Sequence, residues 1–404
     1  MVPVAEGSNP SSHPKRILLL TLAWLLLASL TTAQNLERAR RLHKEAVGID
    51  SHIDTLQWVL TQNADLGKRH DIYHVDIPRL LEGGMRAPYF ALYVPTYYKG
   101  AEAIRRILQV RDAFDRVLQG NPGKIELALD AASIERIQKA GRIAALLTIE
   151  SGHAINDDLS VLRMYYKLGV RSMTLTHFRN NNWADSSTDT PGHNGLTEFG
   201  KEVVREMNRL GMIVDISHVS DKTFFDTIAV TTKPVIASHS SCRALADFPR
   251  NMTDDMLRAL ARNGGVIGIN FGSGFLSQKD AAQYRARIQA TAETDPGLTG
   301  KALDEFTSKQ FIAGYLKMRP GSATLADAVA HIDHVVKVAG IDHVGIGSDF
   351  DGISSVPAGL EDVSKMPTLT AALLQRGYSE MDIKKILGGN HLRVLRLVGR
   401  ASGR

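Results

Sequence analysis

The chain has 404 residues, 44% hydrophobic and 23% charged, an ordinary globular composition that excludes a disordered, collagen-like or coiled-coil chain. Lys and Arg outnumber Asp and Glu by 48 to 43, and the small excess is spread along the chain, so no nucleic-acid partner is expected. The one cysteine, Cys242, can close no internal disulfide and build no thiolate cage, so any metal must be held by His, Asp and Glu.

In chain order, Lys15 and Arg16 precede an apolar run over 17–30, interrupted only by Thr21 and Ser29. Thr31-Thr32-Ala33 follows with small residues. A positive flank, a short apolar stretch and a small-residue exit predict a cleaved export signal over residues 1–33. The run is shorter than the ~20 apolar residues of a spanning helix, so no stable membrane anchor is expected after cleavage. A periplasmic or secreted location follows.

Residues 34–404 read as a single domain. Eight short apolar runs recur at 47–55, 87–94, 143–152, 170–177, 212–218, 235–240, 266–271 and 344–350. Several are continuous rather than alternating, as strands buried on both faces should be. Helical patterns lie between them, at 101–118, 132–140, 159–168, 197–210, 221–230, 254–263 and 325–339. Ser220-Asp221 and Thr253-Asp254 are start signals, and Gly211, Gly264 and Gly340 are stops. Eight such units predict an α/β fold, a closed (β/α)8 TIM barrel. One long polar excursion, 272–324, separates the seventh and eighth strands, with helical patches at 278–291 and 299–318. Its place on the catalytic rim predicts a lid or subunit contact, against a plain solvated insertion. Residues 368–398 close the chain as helix, with a break expected at 388–391.

Barrel enzymes place their chemistry at the C-terminal ends of the strands. The first strand ends in His52-Ile53-Asp54, whose two polar side chains share a face. Glu150, His177, His218, His239 and Asp349 end the third, fourth, fifth, sixth and eighth. A single strand-end histidine is usually a hydrogen-bonded structural residue. Seven ionisable groups on six strand ends instead predict a metal site, because burying them unpaired is costly. Histidines and carboxylates without thiolate suit zinc or another borderline divalent ion. Two ions fit: His52 and Asp54 for one, His218 and His239 for the other, with Glu150 bridging. Such a pair makes hydroxide available near neutral pH and polarises a carbonyl.

These residues carry a resemblance. The motifs are Gly48-Ile49-Asp50-Ser51-His52-Ile53-Asp54, Glu150-Ser151-Gly152-His153, and Leu175-Thr176-His177 with Trp183-Ala184-Asp185. Asp215-Ile216-Ser217-His218, Ser238-His239-Ser240-Ser241, Arg250-Asn251 and Gly347-Ser348-Asp349-Phe350-Asp351-Gly352 complete the set. In order and spacing the chain resembles the membrane dipeptidase family of zinc peptidases, in the amidohydrolase barrel superfamily, over 46–398. The resemblance implies two zinc ions per chain, one on His52, Asp54 and Glu150, the other on Glu150, His218 and His239. It implies His177 at the substrate carbonyl, Arg250 on the terminal carboxylate, and Asp349 handling protons and the substrate amine. His153 is taken as a further substrate contact, against a structural role, and Trp183 as packing. Asn181-Asn182 replace a Thr-Pro-like pair of many relatives. With one cysteine and no apolar tail after Val398, neither the disulfides nor the glycolipid anchor of animal relatives is expected. A homodimer is compatible with the family.

The expected activity is hydrolysis of small dipeptides by attack of a metal-bridging hydroxide, with Glu150, His177 and Asp349 in the catalytic set. The alternatives are another metal-dependent amidohydrolase, acting on N-acyl amino acids, lactams or lactones, and a non-catalytic binding protein on a barrel scaffold.

Overall fold

The computed structural model describes residues 34–290, 295–316, 321–353 and 355–399; the segment read as an export signal lies outside them. Nine strands run in chain order: β1 (Ile49–Ile53), β2 (Ala87–Tyr93), β3 (Ile125–Leu127), β4 (Ile143–Glu150), β5 (Val170–Thr174), β6 (Ile213–Asp215), β7 (Ile236–Ser240), β8 (Val266–Ile269) and β9 (Val344–Ile346). All pairings are parallel. Because β2 pairs both β1 and β4, and β9 pairs both β8 and β1, eight strands close into a TIM barrel. The eight predicted runs are those eight strands. The ninth, β3, is a three-residue strand on the outer edge of β4, too short to leave a pattern in the sequence.

Predicted and observed helices agree where capping chemistry is clear. Ser220 and Thr253 accept hydrogen bonds from the N–H groups of Thr223 and Met256 and start Asp221–Val230 and Asp254–Asn263. Gly211 and Gly264 end their helices in the left-handed conformation, at φ 81° and 80°. The closing region divides into Met366–Gln375, Glu380–Lys384 and Asn390–Gly399, with an irregular turn at Lys385–Gly389 where the break was expected.

The barrel is plugged at one end. Leu392, Val394, Leu395 and Val398 of the last helix pack on Ile49, Ala87, Ile213, Ile236 and Val266, which lie at or near the N-terminal ends of their strands. Inside, Ser51 Oγ donates to the carbonyls of Ser238 and Ile346, tying β1 to β7 and β9. No side chain fits opposite it: a Cβ on Gly347 would lie 1.8 Å from Ser238 O. The bottom is thus sealed and the upper layer drawn tight, leaving the C-terminal mouth open.

The 272–324 excursion forms helices Ser273–Leu276, Gln278–Ala290 and Gly300–Leu316. The last docks on helix Ala101–Gly120 and the loop before it, where Arg105 forms a two-point ion pair with Asp304 (2.7 and 3.0 Å). Tyr98 donates to the same Asp304 at 3.0 Å. The described residues of the excursion therefore include helices packed beside the pocket, with Phe275, Tyr284 and Phe311 in its wall.

Candidate metal centre and dipeptide pocket

The strand ends deliver their polar groups from within the strands or from left-handed residues just past them. His52 and His239 lie within β1 and β7, beside register shifts that re-aim their side chains. Glu150 is the last residue of β4. His218 (φ 70°), Asp349 (φ 61°) and Asp351 (φ 69°) are left-handed residues just past β6 and β9. For non-glycine residues that conformation costs about 1–3 kcal/mol each and persists only where the surroundings enforce it. The predicted strands overran here, since the observed strands end at Asp215 and Ile346.

Two buried carboxylates hold the ends in place. Asp50 accepts from the N–H groups of His52 (3.2 Å) and Ser348 (2.9 Å), joining the strands that present His52 and Asp349. Asp215 does the same below His218 and His239, accepting from Ser217 N (3.0 Å), Ser238 N (2.9 Å) and Thr174 Oγ1 (2.7 Å). Burial pushes the Asp50 carboxyl up to about 6. Neither was singled out from the sequence, although each stands two or three residues before a predicted histidine, in Asp50-Ser51-His52 and Asp215-Ile216-Ser217-His218.

The strand-end groups converge. His52 Nε2 lies 3.3 Å from Asp54 Oδ2 and 3.5 Å from Glu150 Oε2. Glu150 Oε1 lies 3.1 Å from His218 Nε2, 3.4 Å from His239 Nε2 and 3.7 Å from His177 Nε2. The two carboxylate oxygens of Glu150 therefore face two different sets of groups. The tightest triplets are His52–Glu150–His239, Glu150–His177–His218 and His52–Asp54–Asp349, all buried. They cut across the expected division into two ligand sets and bring His177 and Asp349 into the same cluster.

The array fits cations. Asp54 Oδ1, His52 Nε2 and His218 Nδ1 are buried without hydrogen-bond partners. The Nε2 atoms of His218 and His239 stand 2.9 Å apart. Burial drives both imidazoles well towards the neutral, lone-pair form, with Arg250 adding at His218 and His52 adding at His239. Burial works to raise the Glu150 carboxyl, but His52, His177, His218 and His239 outweigh it and hold it ionised. Space is reserved as well. A Cβ on Gly352 would fall 2.2 Å from Asp54 Oδ2 and 2.5 Å from Asp349 Oδ1. Nitrogen and oxygen donors without thiolate suit a borderline divalent ion.

Beside the cluster opens a pocket of about 220 Å³, lined by Asp54, Glu150, His177, His218, Arg250 and Asp349 among others. That is below the usual range for drug-sized ligands, so the occupant is small. Arg250 is 3% exposed, and its guanidinium contacts among the described residues are the Ser240 hydroxyl, the His239 carbonyl and the Phe275 ring. Its Nη2 donates to His239 O at 3.1 Å, its Nε is unpartnered, and burial pushes the guanidinium down to about 10. A buried guanidinium with an open donor has the geometry to pair with a carboxylate. Asp349 Oδ2 accepts from Asn270 Nδ2 at 2.8 Å. Burial raises its carboxyl well above the usual range, Asp54 and Glu150 adding to the effect against His52.

One predicted site residue falls elsewhere. His153 Nδ1 bonds Ser151 Oγ at 2.6 Å and its Nε2 meets Tyr98 O at 3.0 Å. It lines a separate pocket with Lys99 and Arg179, not the one beside Glu150. Trp183 is core, packed against Gly152. Asn181 Oδ1 accepts from the N–H groups of Trp183 and Ala184 and its Nδ2 donates to Leu175 O, fixing the turn before Trp183. Asn270, Asp351 and His74 went unassigned from the sequence. Asn270 alone carried a signal, standing at the end of the seventh predicted strand.

The description "Membrane dipeptidase (Peptidase family M19)" matches residues 36–404. The chain belongs to the membrane dipeptidase family. Dipeptidase tcpJ of Claviceps purpurea is 38% identical over 335 residues, 80% of this chain and 69% of that protein. Among solved structures, the probable dipeptidase PvdM from Pseudomonas aeruginosa superposes with a TM-score of 0.79 at 28% identity, covering 92% of this chain and all of that one. A metallo peptidase from Rhodobacter sphaeroides, liganded with a phosphinate mimic of the dipeptide L-Ala-D-Ala, gives 0.73 at 26% identity, over 87% of this chain and 99% of that one. The membrane dipeptidase fold and chemistry make the chain a metallodipeptidase, a hydrolase of dipeptides. Among the described residues no helix is long and apolar enough to cross a bilayer.

Proposed function

We propose that this metallodipeptidase works with two zinc ions, one on His52, Asp54 and Glu150 and the other on Glu150, His218 and His239. The observation that carries the reading is a buried, carboxylate-free Arg250 in the same small pocket as the histidine–carboxylate cluster. A pocket that offers a cation at one end and a hydrolytic array at the other selects a short substrate with a free carboxylate.

Bound there, the two ions would activate a water and polarise the scissile carbonyl. The protein's own groups do the rest. Arg250 takes the C-terminal carboxylate through its open Nε and Nη edge. His177 donates to the carbonyl oxygen as negative charge develops on it. Asp349, with one oxygen fixed by Asn270, takes the proton released by the attacking water and gives it to the departing amine. The substrate's free amine lies towards Asp349 and Asp54. Residues 1–33 direct export and are removed, so the dipeptides are met outside the cytoplasm.

The test is a dipeptide panel with L-L and L-D pairs, each beside its N-acetylated version, using zinc-replete protein. Hydrolysis that requires the free amine supports the reading. Preferential cleavage of the N-acetylated compounds, lactams or lactones overturns it, as does full activity in Asp349→Asn.

A further inference from the structure

The pocket's carboxylates, amide and guanidinium are taken up by the metal cluster, the substrate carboxylate or the fold, and much of the remaining wall is aromatic. Asp54, Glu150 and Asp349 belong to the metal cluster, and Arg250 to the substrate carboxylate. Asp351 is spent within the fold: its Oδ1 accepts from His74 N at 2.8 Å and its Oδ2 from Thr55 Oγ1 at 2.6 Å. Gln57 is spent likewise, accepting from Arg106 Nη2 at 3.0 Å and donating to Tyr93 O at 3.4 Å. The rest of the wall includes Phe178, Phe275, Tyr284 and Phe311, three of which come from the 272–324 excursion.

Two of these stand at the carboxylate end. The Phe275 ring lies under the Arg250 guanidinium, 5.3 Å from its carbon to the ring centroid. Tyr284 packs on Phe275 (6.0 Å) and Phe248 (5.3 Å), and its ring is seated where Gly274 leaves room: a Cβ there would come within 2.7 Å of it. Arg285, next on the same helix, donates to Asp247 O at 2.8 Å and ties that helix to the loop carrying Arg250. The guanidinium and the two rings therefore form one unit.

We propose that the excursion builds the subsite for the side chain of the substrate's C-terminal residue, and that Phe275 and Tyr284 make it selective for bulky apolar or aromatic side chains over charged ones. The proposal rests on the dipeptidase reading above and gives it a substrate class. A charged side chain entering this subsite would lose its water and meet rings in place of a counter-ion. An apolar one is rewarded by burial.

The experiment compares kcat/KM for Ala-Phe, Ala-Leu, Ala-Gly, Ala-Asp and Ala-Lys in wild type, Tyr284→Ala and Tyr284→Phe, all zinc-replete. Wild type should favour Ala-Phe and Ala-Leu over Ala-Gly by about tenfold or more, and reject Ala-Asp and Ala-Lys. Tyr284→Ala should cut the rate on Ala-Phe about tenfold more than on Ala-Gly, and Tyr284→Phe should keep the wild-type preference. A preference for Ala-Asp or Ala-Lys, or an equal loss on every substrate in Tyr284→Ala, overturns the proposal. Calorimetry with phosphinate mimics of Ala-Phe and Ala-Gly reads the subsite without turnover. Tighter binding of the Ala-Phe mimic supports it and equal binding refutes it, so a failure to hydrolyse any dipeptide would count against the functional reading alone.

Discussion

Replacing Arg250 should improve stability while ruining activity. Burial pushes its guanidinium from 12.5 down to about 10, so keeping it charged in the fold costs about 3 kcal/mol relative to the unfolded chain. The sign follows from linkage: a cation whose pKa is lowered by folding destabilises the folded state at every pH below the lowered value, neutral pH included. Its bonds to His239 O and Ser240 Oγ, at 3.1 and 3.5 Å, the Phe275 ring and the more distant carboxylates offset this only in part. Arg250→Met keeps the stem over Phe275 and removes the charge, so unfolding in urea should show a gain of about 1–3 kcal/mol. Two charge-assisted hydrogen bonds to the substrate carboxylate, about 1.5–3 kcal/mol each, vanish with it. The value of kcat/KM on a dipeptide should therefore fall about 10²–10⁴-fold, mainly through KM, since the carboxylate lies away from the reacting bond. Loss of stability together with less than a tenfold loss of kcat/KM would refute the reasoning.

Three further outcomes are expected. His74 and Asp351 clasp one another, backbone N–H to carboxylate at 2.8 Å and backbone N–H to Nδ1 at 3.0 Å, and so fix the turn that carries Asp349. His74→Leu should lower kcat about 10–100-fold with little change in KM, and His74→Asn, whose amide oxygen replaces Nδ1, should restore most of it; equal loss in both would refute the clasp. Gly352→Ala puts a methyl group into the space between Asp54 and Asp349, so zinc affinity measured by chelator competition should drop at least about tenfold, and an unchanged affinity would remove those groups from the site. Burial pushes His43, His331 and His391 down to about 4, 4 and 3. Between pH 6.5 and 4 the unfolded chain binds their protons and the folded chain does not. Stability should thus fall with pH by up to about 4 kcal/mol per unit, and His43→Asn should remove about one third of that slope; a slope under one proton in wild type would contradict it.

The barrel was legible because its strands are buried on both faces and read as continuous apolar runs. The cluster was legible for the opposite reason: His52, Glu150, His218 and Asp349 are ionisable groups interrupting those runs. What escaped depends on contacts far apart in sequence. His74 and Asp351 are 277 residues apart, and nothing in the local pattern of either announces the clasp. Likewise, the polar helices of the excursion hide Tyr284 and Phe311, which matter only once their helices lie over the barrel mouth.

The central claim is that His52, Asp54, Glu150, His218 and His239 hold two divalent ions that make the dipeptide pocket hydrolytic. The direct measurement is the metal content of the purified protein, followed alongside dipeptide hydrolysis as a chelator strips the ions and zinc is added back. The account predicts two ions per chain, activity lost and regained in step with them, and metal content reduced in Glu150→Gln. A metal-free chain that cleaves dipeptides at an undiminished rate would contradict it.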